Sequence, residues 1–155
     1  MPIREFIKIY TAACKDGLMA LNIKADGLQV LVRKMVEDAG MQNYFAFDMS
    51  VPDMRGYFYE GIPTFTRLSE YEQSASFLDK SAGVWLDSFD GEWCELPVIN
   101  GLLEKNKQIT IVSPELHGRG HRELWDFIKE NHLHKSALIS LCTDFPLEAK
   151  EYFDV

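Results

Sequence analysis

Apolar positions along the chain alternate between two spacings. Short apolar runs at residues 18–23, 44–47, 64–66, 83–86, 109–112 and 137–141 read as strands, the first of them suited to burial on both faces. The third, just after Pro63, is the weakest of them. Between the runs the spacing becomes helical. Leu28, Leu31, Val32, Met35, Val36 and Ala39 follow Gly27, and Gly40 ends that stripe. Ile99, Leu102 and Leu103 share a face after Pro97, as do Leu124, Phe127 and Ile128 after a loop rich in Gly, His and Arg. Ser69 with Glu72 three residues later predicts a capping box that opens a further helix. Residues 53–61 fit either a short helix or an irregular connection. Ahead of the first strand, Ile3, Phe6, Ile7, Tyr10 and Ala13 form one more helical stripe.

The pattern is therefore a helix followed by six strand–helix repeats, and such alternation implies a parallel sheet. Two α/β architectures fit. One is an incomplete (β/α) TIM-type barrel; the other is an open doubly wound parallel sheet. A full barrel takes eight repeats and about 250 residues, so a length of 155 favours the open sheet. The placement of polar residues favours the barrel. The expectation is one partial (β/α) barrel domain over residues 1–155.

Those polar residues close the apolar runs: Lys24, Asp48, Arg67, Asp87, Glu115 with His117, and Asp144. In parallel α/β folds the carboxyl ends of strands are where sites are assembled. Taken singly, each has a plainer reading. Asp144 before Pro146 reads as a helix cap, and Ser50 and Ser69 read the same way. Lys24 and Arg67 do not, because cations are disfavoured at helix N-termini, and both can face an anion. Residues 112–119 gather a carboxylate, an imidazole and a guanidinium beside Gly118. They form either part of a site or a loop in which Glu115 and Arg119 pair with each other. His121 caps or lines the following helix, while His132 and His134 sit near its polar end.

Composition narrows the partners. An apolar share of 46% with 26% charged residues is that of a globular chain. A formal charge of −8 argues against nucleic-acid phosphate as partner, though a local basic pocket can still hold a small anion. Cys14, Cys94 and Cys142 form no metal-spaced pair, and an odd number suits no closed disulfide framework. Cys142 reads as a small core residue. The first residues lack the apolar stretch of a signal peptide, and no segment has the length of a membrane span. The expected setting is the cytoplasm. Trp85, Trp93 and Trp125 read as core or pocket wall. None of the four histidines has metal-motif spacing, and no glycine-rich phosphate loop or nucleophile elbow occurs. Residues 86–91 partly match a phosphotransferase aspartate loop, but Asp87 and Asp90 stand three apart rather than two.

Leu21-Asn22-Ile23-Lys24, Phe47-Asp48, Thr66-Arg67-Leu68-Ser69, Trp85-Leu86-Asp87, Val112-Ser113-Pro114-Glu115-Leu116-His117 and Leu141-Cys142-Thr143-Asp144-Phe145-Pro146 resemble, in order, the later strands of glycerophosphodiester phosphodiesterase-like barrels. These belong to the phospholipase-C-like phosphodiesterases. The resemblance covers nearly the whole chain and implies that the six strands correspond to strands three to eight of an eight-stranded barrel. It also implies metal-assisted phosphodiester cleavage in intact relatives, with magnesium or calcium screening the phosphate and two histidines moving protons. Those histidines and most metal ligands lie on the family's first two strands, and nothing before Leu18 matches them. Lys24 matches the family lysine that faces the phosphate, and Asn22 stands where the family has a metal-binding glutamate. The expected chain is phosphodiesterase-like, without its own cofactor and inactive when isolated. It binds a small phosphorylated or sugar-containing ligand through Lys24, Asp48, Arg67, Asp87, Glu115, His117 and Asp144. Two further readings stay open: a non-catalytic binding module and a complete doubly wound phosphate hydrolase using Asp87. The strand near Leu18 is expected to have an open edge, which a homodimer would complete.

Overall fold

A computed structural model describes residues 2–14, 17–91 and 95–154. Trp93, read above as core or pocket wall, and Cys94 lie outside the described residues. The chain divides into two compact units, Met1–Phe65 with Lys80–Ala82, and Thr66–Asp79 with Gly83–Val155.

The first unit runs α1 (Ile3–Ala13), β1 (Met19–Asn22), α2 (Gln29–Asp38), β2 (Tyr44–Phe47) and α3 (Val51–Tyr59). β1 and β2 are parallel, with Met19 opposite Tyr44 and Asn22 opposite Phe47. An isolated parallel bridge joins Ala46 to Thr64, and the Ala46 amide donates to the Pro63 carbonyl at 2.8 Å. The alternation of β1 is strict: Met19 and Leu21 are buried, Ala20 and Asn22 exposed. Ile7, Val32, Val36, Phe45, Met54 and Tyr57 are buried as well, and Phe45 stacks on Phe65 with ring centres 3.7 Å apart. The ambiguous residues 53–61 are mostly helix. Pro52 occupies the first turn of α3, and the Ser50 hydroxyl accepts from the Asp53 amide, so the serine is the cap it was expected to be. Gly40 closes α2 in the left-handed region, φ +63°, which a side chain would strain.

The second unit holds β3 (Phe65–Leu68, from Thr66 onward), β4 (Gly83–Leu86), α4 (Leu96–Glu104), β5 (Gln108–Val112), α5 (Arg122–Glu130), β6 (Ile139–Cys142) and α6 (Pro146–Phe153). The strands lie in chain order, β3-β4-β5-β6, and β5 is parallel to both neighbours. Its core is continuous: Val84, Leu86, Ile109 and Ile111 from the strands meet Ile99, Trp125, Ile128 and Phe153 from the helices. The Trp125 indole N–H donates to the Ser113 hydroxyl at 2.9 Å, with both residues fully buried.

The α/β class is as expected. Among the described residues, however, the strands form two parallel sheets, of two and four strands, rather than one of six. Neither sheet contains the reversal of strand order that marks a doubly wound topology. The helix expected to open at Ser69 does not form. The Ser69 hydroxyl does accept from the Tyr71 and Glu72 amides, as a cap would. The Glu72 carboxylate, however, is held by Arg67 instead of reaching back to the Ser69 amide, so the motif closes only a turn.

Candidate functional site

In the first unit the loops after β1 and β2 are stitched together. The Lys24 ammonium pairs with the Asp48 carboxylate, the Ser50 hydroxyl donates to Asp26 at 3.0 Å, and the Gly27 amide and Gln29 side chain donate to Asp53. Asp48 sits at φ +70°, a left-handed conformation that costs a non-glycine residue energy and so marks a backbone held by its surroundings. Ile23, Lys24, Ala25, Asp26, Asp48 and Ser50 line a shallow hollow of about 470 Å³. Asn22 does not line this hollow. It belongs to a separate, mostly apolar groove flanked by α1 and α2. On α3 the Tyr57 hydroxyl is buried with no partner among the described residues. Burial, then the charges of Asp53 and Asp26, push its pKa up to about 12.

In the second unit three successive strand ends deliver polar groups. Asp87 follows β4, Glu115 and His117 lie in the tight turn after β5, and Thr143 and Asp144 follow β6. Gly118, at φ +72°, ends the β5 turn and lets His117 fold back. The His117 Nε2 and Asp87 Oδ1 are 2.7 Å apart, and the Ser88 amide donates to the same oxygen at 2.8 Å. The Phe89 ring lies 4.8 Å from the imidazole. Its loop is fixed from outside, because the Glu70 carboxylate accepts the Phe89 and Asp90 amides at 2.7 Å each. Arg119 donates to the Ser88 carbonyl through Nη2, while its Nε–H is buried with no acceptor among the described residues.

Glu115 accepts the Thr143 hydroxyl and the Asp144 amide, the latter at 3.1 Å. Burial by itself would raise its pKa. The Ser113 and Thr143 hydroxyls and nearby amides overcome that and hold the carboxyl below its ordinary value. The Cys142 thiol reports on the same crowd: burial first, then Asp144, Asp87 and Glu115, push its pKa up. The second unit thus brings Asp87, Glu115, His117 and Asp144 together. Arg67 is committed to Glu72 through two contacts of 2.8 Å, and in place of the alternative Glu115–Arg119 pairing stand Glu115–Thr143 and Arg119–Ser88. The expected Asp144 cap is also replaced, since Phe145 occupies the cap position of α6 and makes no side-chain bond there.

Sequence reasoning did not single out Thr143 or Glu70. Thr143 adjoins Asp144 in the quoted Thr-Asp-x-Pro run, which was the available signal; Glu70 had none. Among the described residues no three His, Cys, Asp or Glu side chains form a group able to hold a metal ion, and Asn22 faces another groove. No helix among them is long and apolar enough to cross a membrane. Comparison with family models, with curated proteins and with solved structures returned no match.

Proposed function

We propose that this chain is a ligand-binding portion of a (β/α) barrel, similar to the glycerophosphodiester phosphodiesterases, which holds a small phosphorylated polyol without turning it over. The observation that carries this reading is the cluster at three consecutive strand ends of the second unit, Asp87–His117 and Glu115–Thr143–Asp144, beside Arg119. Carboxylates accept hydrogen bonds from ligand hydroxyls, and a buried guanidinium N–H without an acceptor suits a phosphate oxygen. Lys24 and Arg67, the cations first expected to meet the phosphate, are each matched to a carboxylate, which shifts that role toward Arg119. Turnover is left out of the proposal because the His117 Nε2 and Asp87 Oδ1 are engaged with each other, and Glu115 with Thr143 and Asp144. The doubly wound hydrolase has less support, since both sheets follow chain order and Asp87 Oδ1 is spent on His117 and Ser88.

The test pairs binding with catalysis. Titration calorimetry should detect glycerol 3-phosphate, with Arg119→Ala weakening it by about tenfold or more, the loss expected for one charge-assisted hydrogen bond. A generic phosphodiester with added magnesium or calcium should not be hydrolysed. No heat at millimolar ligand would overturn the binding reading. Metal-dependent hydrolysis abolished by Lys24→Ala or Glu115→Ala would overturn the inactive one.

A further inference from the structure

The outer edge of β1 is bare in two independent ways. In a parallel ladder, alternate residues point both backbone groups at the neighbouring strand. Met19 and Ile23 do so here, donating to the Asn43 and Phe47 carbonyls at 3.0 and 2.9 Å. Ala20 and Asn22 therefore turn their N–H and C=O groups outward, where no described residue meets them, and both are exposed. Beside this edge runs the apolar groove of about 450 Å³, flanked by Ile3 and Phe6 of α1 and by Leu28 and Leu31 around α2.

Chains protect such edges with a lysine, a proline, a bulge or a covering segment. β1 reads Met-Ala-Leu-Asn and has none of the side-chain guards. We propose that the β1 edge pairs with β1 of a second copy of this chain. The self-match is geometric. With a two-fold axis at Leu21, Ala20 of one copy lies opposite Asn22 of the other and the reverse. Each such pair is of the type that exchanges both backbone hydrogen bonds in an antiparallel ladder. The small Ala20 side chain offers no obstacle to the opposing Asn22.

The apolar area supports the same occupant. Ile3, Phe6, Leu18 and Leu31 are 54%, 45%, 40% and 53% exposed. At roughly 200 Å² for each large apolar residue, they leave roughly 400 Å² bare per copy. A two-fold contact doubles this to roughly 800 Å², and the strand edges bring the total toward the ~1,000 Å² that a specific interface requires.

Sedimentation equilibrium on the full chain should show a concentration-dependent dimer. Ala20→Pro removes an outward N–H and leaves the β1–β2 ladder untouched, since proline is tolerated where its missing donor faces away from the sheet. It should weaken dimerisation at least about tenfold while far-UV circular dichroism stays unchanged. If that variant misfolds, Asn22→Lys, which places a charge on the edge, serves instead. A monomer at all concentrations overturns the proposal, as does a dimer indifferent to a folded edge variant. Recovery of a different extended polypeptide on the edge, in place of a second copy, also overturns it.

Discussion

Replacing Ser113 by alanine tests whether the second unit's core depends on one buried polar contact. Trp125 and Ser113 are each 0% exposed, and the indole N–H has the Ser113 hydroxyl as its partner at 2.9 Å. Around the ring stand His121, Tyr152 and Phe153, with centroids at 4.3, 5.6 and 5.7 Å. Ser113→Ala leaves a buried donor unsatisfied, which costs about 1–3 kcal/mol. For a chain of this size, about 2–4 °C of melting temperature is lost per kcal/mol, a fall easily read by calorimetry. Trp125→Phe supplies the control, because phenylalanine has no N–H to strand. In that background Ser113→Ala loses only its contact to Glu115, so it should cost less than in the parent, and the double-mutant cycle should show coupling of about 1 kcal/mol or more. If Ser113→Ala costs the same in both backgrounds, or almost nothing in the parent, the reasoning is refuted.

Tyr57→Phe should be neutral or stabilising by up to about 1 kcal/mol at neutral pH, because it removes a buried hydroxyl that has no partner. The unfolded tyrosine loses its proton near 10 and the folded one only near 12, so the parent should lose stability as pH rises from 10 to 12. Denaturant melts of Tyr57→Phe should lack that component. Glu115 has the opposite sign. Its folded pKa lies below the ordinary 4.5, so its contribution is present above 4.5 and is lost as pH falls through the lower folded value. Glu115→Gln should therefore be less stable than the parent at pH 7, with the gap closing in acid. A gap that persists at low pH would count against the ionised carboxylate.

Strand positions were legible where burial on both faces left nothing but apolar residues. Residues 44–47 and 83–86 are strands at the expected bounds. The sixth strand was placed two residues early, at 137. Ser136 instead takes the Leu138 amide on its hydroxyl and the Ile139 amide on its carbonyl, so a turn delays the strand to Ile139. The third was placed early too, because Thr64 and Thr66 look like a strand by propensity. Both are buried, but Leu68 belongs to the strand as well, and half-buried Arg67 had masked the run. The Ser69 helix failed for a reason invisible in a local window, namely that the carboxylate needed for the capping box had a stronger partner in Arg67.

The site divides along the same line. That polar residues end the strands is a local property, and it was readable. Which of them meet depends on register, and register is not local. Leu86 lies opposite Ile111, so Asp87 stands beside the turn after β5, and that turn brings His117 to it across 30 residues. In the same way Ile111 opposite Leu141 brings Glu115 to Thr143. The cations show the cost of lacking this information. Lys24 and Arg67 were singled out because neither suits a helix N-terminus, but a cation that cannot cap a helix can still serve a neighbouring carboxylate. Asp48 lies 24 residues from Lys24, and Glu72 only five from Arg67. The second pairing was within reach of a sequence reading had the Ser69–Glu72 capping box not claimed the glutamate first. The alternative in which Arg119 pairs with Glu115 rested on the same logic of proximity. The turn after β5 instead sends Glu115 toward β6 and Arg119 toward Ser88, leaving the buried Arg119 Nε–H as the donor on which the proposed phosphate contact rests.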